Sequence, residues 1–254
     1  MSLDQLVARA ETRKIARLLG VAVDEVAYLE ACAPEDLATL RMQMTDDLFE
    51  GEGAALRRAA DASKLLPIPL LSTIAQKAMG PMLCGRLSGL LAPDRAAAVA
   101  ERLPVEFLAE VAGETDPRRA VAVISRIPAS QASGVARVLG RGREYVAMGR
   151  FVAYLGDAAL TACINELDDE ALVETAYTME GKDRLDRVIR LASDERLATV
   201  PATVERLGLW PEIVDLIAHL GPEQRERLIR LGGAGGVGYE SRVREHAKRL
   251  GVSI

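Results

Sequence analysis

Between residues 91 and 231 the chain restarts a helix about every dozen residues, and each restart carries Pro, Asp or Gly beside an apolar residue. The stretches LAPDRAAAVAERL, LPVEFLAEVAGE, TDPRRAVAVISRI and IPASQASGVARVL follow one another in this rhythm. Pro93, Pro104, Pro117 and Pro128 are 11, 13 and 11 residues apart; Gly156, Asp168, Gly181 and Asp194 continue at 12 or 13, and Pro211 and Pro222 close the series at 11. A dozen residues holds about two and a half helical turns plus a tight connection, so successive helices fold back antiparallel. Helices that short are marginal alone in water, so the Leu, Val and Ala stripe of each must pack on neighbours. The expected product is an all-α, superhelical stack of short antiparallel helices of the armadillo or HEAT kind.

Composition agrees with this reading. Aromatics are only 4% of the residues, while Ala, Leu, Val and Arg dominate. Those are helix formers, and no segment shows the period-two alternation of a strand. Residues 1–92 read as an N-terminal helical cap, 93–231 as the repeat, and 232–254 as a glycine linker with a terminal helix, all within one continuous structural domain. In the cap, 2–19 reads as a helix with Ser2 as N-cap and Gly20 as stop, 24–32 as a second helix, and Pro34 opens a third. The acidic, glycine-bearing TDDLFEGEGAA reads as a break or loop. Asp94 is expected to cap a helix, Asp168 and Asp194 are expected to open theirs, and Pro201 is expected to kink or break its helix.

The phrases LAPDRAAAVAERLP and LGPEQRERLIRL resemble the helical units of the cytosolic N-terminal domain of MgtE-type magnesium transporters, and more loosely the armadillo-like domains of the flagellar motor-switch protein. The resemblance covers about residues 91 to 231. It implies a superhelical fold and places none of that family's metal ligands on a residue of this chain.

The net charge of -5 argues against bulk attraction to nucleic acid or to an anionic surface. Cys32, Cys84 and Cys163 lack the paired spacing of a zinc or dithiol site and read as reduced thiols. The opening MSLDQLVARAETRK is amphipathic rather than basic then apolar, so a cytoplasmic location is expected. The least polar stretch, Leu65 to Pro93, carries only Lys77 and Arg86 as charges and is interrupted by Pro67, Pro69 and Pro81, too broken to span a bilayer. It reads as a helix buried on most sides or as an apolar binding surface.

Candidate chemistry is sparse. Gly233, Gly235 and Gly238 match the spacing of a dinucleotide loop, but a helical pattern precedes them where a strand is required, so no cofactor is expected. Asp46, Asp47 and Glu50 match an acidic cluster of the kind that holds magnesium and a diphosphate, although NELDDEALVE fails as its facing partner. His219 and His246 sit in no zinc-like spacing, and no nucleophile elbow or Walker loop occurs. Tyr145, Met148, Phe151, Val152 and Leu155 form one helical stripe that reads as core or as a pocket wall, and Trp210 reads as packed at a helix start.

Three functional expectations follow. The first is a non-enzymatic scaffold that binds a protein partner or a copy of itself. The second is a binder of an apolar or lipid-like molecule, lined by Leu70, Leu71, Ile74, Met79, Tyr145, Met148 and Phe151, with Lys77 and Arg86 on an anionic head group. The third is a metal-diphosphate enzyme using Asp46, Asp47 and Glu50.

Overall fold

The computed structural model describes residues 3–50, 53–234 and 238–250. Among these residues the structure is all-helical, with no strand. In chain order, α1 is Leu3–Leu19, a 3-10 stretch spans Val23–Ala31, and α2 is Pro34–Glu50. Then come α3 (Gly53–Ser63), α4 (Ile68–Ile74), a π-helical turn at Ala75–Met79, α5 (Gly80–Ser88), α6 (Pro93–Ala100) and α7 (Val105–Glu114). They are followed by α8 (Val121–Ile124), α9 (Ala129–Arg141), α10 (Tyr145–Phe151), α11 (Asp157–Glu166) and α12 (Asp169–Thr178). The chain closes with α13 (Leu185–Leu191), α14 (Asp194–Leu207), α15 (Trp210–Ala218), α16 (Pro222–Ala234) and α17 (Tyr239–Leu250).

These helices fall into two compact units, one of residues 1–45 with 167–254 and the other of residues 46–166. The division does not coincide with the 92/93 and 231/232 junctions that the sequence suggests. Its physical cause is α1, which packs on α12 and α15 and so ties the N-terminal residues to the C-terminal half of the chain.

In the first unit α1 buries Leu6, Ala10 and Ile15, and Ile15 joins Ala8 and Leu37 in one core cluster. Tyr177, Met179, Leu185, Val204, Val214 and Ile217 complete an interior of fully enclosed side chains. The helix α12 packs on α14 and α15, α14 on α16, and α15 on α17. In the second unit α4 packs on α6 and α6 on α8, while α5 packs on α7, α7 on α9 and α9 on α11. Each helix thus rests largely on the next but one, as short helices that reverse direction at every connection must.

Long side chains reinforce these layers by capping carbonyls at the end of an earlier helix or in the turn after it. Arg95 of α6 donates to the carbonyls of Ser63, at 2.9 Å, and Leu66. Gln131 of α9 donates to Ala100, Arg196 of α14 to Leu167, and Arg227 of α16 to Ile189 and Ala192. The Ser63 and Ala100 carbonyls already accept from the Leu66 and Leu103 amides, so Arg95 and Gln131 use their second lone pairs and tie one layer to the next.

Several local expectations are corrected. The helix α2 continues through Thr45 to Glu50, where the sequence suggests a break. Asp94 is not an N-cap, since α6 starts at Pro93 behind Ala92, and the Asp94 carboxylate instead accepts from Arg126 at 2.6 Å. Asp194 does open α14, with Ser193 before it capping the helix by accepting from the Arg196 amide, and Asp168 caps α12 through the Ala171 amide at 2.8 Å. Pro201 is buried inside α14, which runs unbroken from Asp194 to Leu207. Ser2 and its expected cap lie outside the described residues.

Candidate functional site

The segment from Leu65 to Pro93 supplies the surface site of the second unit. Pro67 sits before α4 with a fixed, extended backbone, and the helix then turns one face inward. Leu71 and Ala75 join Val99 and Leu103 in the core, with Leu66, Ile68, Cys84, Phe107 and Leu108 packed around them. The π turn at Ala75–Met79 widens the helix by one residue, and the Gly80 amide closes it on the Ala75 carbonyl. Gly80 has φ +74, a left-handed conformation that glycine adopts without strain, and this redirects the chain into α5. Met79 then packs against the cluster of Leu56, Ala60 and Leu87.

The outer face is different. Leu65 is 88% exposed, Leu70 47% and Met82 56%, so this stretch presents large apolar side chains to solvent. A groove of about 410 Å³, open to solvent, is lined by Pro69, Ser72, Thr73, Gln76 and Arg102. Its cation is Arg102, from the turn after α6; neither Lys77 nor Arg86 lines it. Lys77 is exposed at the end of the same helical run, and Arg86 is half-buried on α5.

The remaining residues of the expected apolar pocket are distributed elsewhere. Tyr145 and Met148 are buried on α10, which packs on α9, and Phe151 and Ile74 are half-buried. The α4 and α5 pair packs on α3, α6 and α7. The two halves of the pocket therefore rest on different neighbours.

The acidic cluster is held by arginines. Asp46 accepts from Arg118 at 3.0 Å and Arg119 at 3.2 Å; Arg118 also binds Asp116, which is 2% exposed. The Arg119 hydrogen bond, helped by the Arg118 charge, holds the Asp46 carboxyl below its ordinary range. Asp47 is exposed, and the side chain of Glu50 lies outside the described residues. Among the described residues no group of three or more His, Cys, Asp or Glu side chains could hold a metal ion. Gly233 is exposed near the end of α16 and Gly238 precedes α17 with φ +100, while Gly235 lies outside the described residues.

One cluster escaped the sequence reading. Inside the first unit, Glu11 of α1 accepts from Lys14 at 2.6 Å and from Arg41 of α2 at 2.8 Å, and Arg41 reaches on to Glu180 at 2.8 Å. Lys182 makes an ion pair with Asp215 of α15, which is fully buried, and its amine lies 5.1 Å from the centre of the Tyr177 ring. Arg13 lies 5.9 Å from the same ring and binds Glu174 at 2.7 Å. Burial pushes the Lys182 amine down against the pull of Asp215, and burial pushes the Glu212 carboxyl up. Burial also raises Glu11, but Lys14 and Arg41 together outweigh it and leave that carboxyl below its usual range. The Oδ1 atom of Asp215 and the hydroxyls of Thr12 and Thr175 are buried without a hydrogen-bond partner. The arrangement locks α1, α2, α12 and α15 by paired charge. Burial raises the thiols of Cys84 to about 11 and Cys163 to about 12, which keeps both as unreactive neutral groups.

Compared with protein-family models, with curated proteins and with solved structures, the chain matches none of them. No helix among the described residues is long and apolar enough to cross a membrane.

Proposed function

We propose that this chain is a non-enzymatic helical-repeat protein that serves as an interaction module, and that the outer face of α4 and α5 receives a protein partner. The observation that carries the reading is the exposure of Leu70 beside an open groove on α4, whose inner face is already committed to the core, with Leu65 and Met82 also exposed in the same stretch of chain. Exposed apolar side chains grouped in this way mark contact surfaces more often than they mark catalytic ones. The layering of each helix on the next but one, with carbonyls capped across layers, is what a repeat needs to present a firm surface. The helical-repeat reading is also the one implied by the resemblance to the MgtE N-terminal domain. The apolar-ligand reading draws less support, because Tyr145 and Met148 are already packed in the interior.

Site-specific photo-crosslinking in the native host tests the proposal. A crosslinker at position 70 or 82 is expected to trap the same protein, while one at the exposed Arg230 of α16 traps none. No adduct at 70 or 82, or equal adducts at all three positions, overturns it.

A further inference from the structure

We infer that the partner segment received at α4 is an acidic amphipathic helix, an inference that rests on the interaction reading above. Pro69, Thr73 and Gln76 follow one another at helical spacing and line the groove, and Leu70 and Lys77 lie one residue further round, so apolar and cationic groups flank it along one side. Arg102 closes the groove from α6's end.

The charge of this stretch of chain is one-sided. From Ala62 to Pro93 the sequence has no carboxylate, in a chain whose net charge is -5. Lys77 and Arg102 make no ion pair with any described residue. The nearest acids in sequence are Asp61, paired with Lys64, Asp94, paired with Arg126, and Glu101, exposed beside Arg102. Some exposed carboxylates elsewhere are matched, as Glu166 is by Arg137, Glu240 by Arg244 and Glu245 by Arg249, while the exposed Glu106 and Glu110 of α7 make no ion pair with a described residue. Lys77, on the same helical run as exposed Leu70, and Arg102 in the groove complement a segment that offers an apolar stripe flanked by Asp or Glu. Such a helix places its apolar residues on Leu70 and Pro69 and its carboxylates on Lys77 and Arg102.

The test uses the full chain and a displayed library of random 16-residue peptides, counter-selected on Leu70→Asp so that only peptides dependent on this face survive. Lys77 and Arg102 are exposed and pair with no described residue, so the K77E/R102E variant is expected to keep the parent melting temperature, which circular dichroism checks. Enriched peptides are expected to be net acidic with Leu, Ile, Met or Phe at helical spacing. Their affinity, read by fluorescence anisotropy, is expected to drop at least tenfold on K77E/R102E and to weaken with salt. Neutral or basic enriched peptides, unchanged affinity on K77E/R102E, or no enrichment each overturn the inference. So do a dimer in sedimentation velocity that Leu70→Asp dissolves, and co-sedimentation with phosphatidylglycerol vesicles in the absence of acidic-peptide enrichment. A protein trapped at position 70 whose capture survives K77E/R102E leaves the interaction module standing and removes only its acidic partner.

Discussion

The hydroxyl of Tyr177 donates a 2.6 Å hydrogen bond to the backbone carbonyl of Leu6, joining two residues 171 positions apart in the sequence. Tyr177 is fully buried, and its ring also faces the Lys182 amine and the Arg13 guanidinium. Tyr177→Phe keeps the packing and both cation–ring contacts but leaves the Leu6 carbonyl without this donor. It is expected to destabilise the first unit by about 1–2 kcal/mol. Urea unfolding followed by circular dichroism checks the loss, and a change below a few tenths of a kcal/mol contradicts the role assigned to the bond.

Lys182 and Asp215 test the buried charge directly. Lys182→Met strands a carboxylate that is fully buried and has one oxygen already unpartnered, at an expected cost of about 3–5 kcal/mol. The double variant K182M/D215L removes both charges and is expected to recover most of that loss, because two apolar side chains need no solvation. A double variant as unstable as K182M shows that Asp215 stabilises the unit through its other neighbours, such as His219, 3.6 Å from the unpartnered oxygen.

Glu212 sets a pH dependence. Its folded carboxyl is raised above the ordinary 4.5, chiefly by burial, so the folded state holds a proton that the unfolded chain has lost. Its contribution is present below pH 4.5 and is lost as pH rises through the folded value. Glu212→Gln, which cannot ionise, is therefore expected to be more stable than the parent at pH 7 and equal to it at pH 4. Denaturant midpoints at the two pH values decide the matter; a midpoint shift of the same size at both contradicts the titration.

How far the sequence could be read differs between these features. The helices and their Pro, Gly and Asp restarts were legible because they depend on neighbours in the chain: Pro93 starts α6, and Asp168 caps α12 with its own side chain. The exposed stretch around Leu70 was legible as an apolar anomaly, though composition could not tell that Leu71 turns inward while Leu70 turns out. The cluster of Glu11, Lys14, Arg41, Lys182 and Asp215 was not legible, since its members come from four separate segments and each alone looks like a solvated charge. A faint signal existed in α1, where Glu11 stands three residues after Ala8 and four before Ile15, on a face that becomes interior once the helix is enclosed on several sides. Likewise Arg95 and Arg227 read as surface arginines until the carbonyls they cap are in place.

Gly85 shows how closely those layers approach. A Cβ at this position would lie 2.8 Å from the Glu114 backbone carbon, a distance backbone cannot yield cheaply, so α5 and α7 touch there because the residue has no side chain. Gly85→Ala is expected to force the helices apart and cost about 1–3 kcal/mol, despite the higher helix propensity of Ala. Gly233 provides the contrast: it is exposed, and a Cβ there meets nothing within 4 Å. Gly233→Ala is expected to be neutral or to stabilise by up to about 1 kcal/mol. Thermal unfolding of both variants separates the two effects, since propensity acts on each while the clash acts on one. A Gly85→Ala protein as stable as the parent means that α5 can shift on α7 without loss, and hydrogen exchange along Val105–Glu114 then shows whether the α5–α7 contact, and the firm base it gives to the α4 face, has loosened.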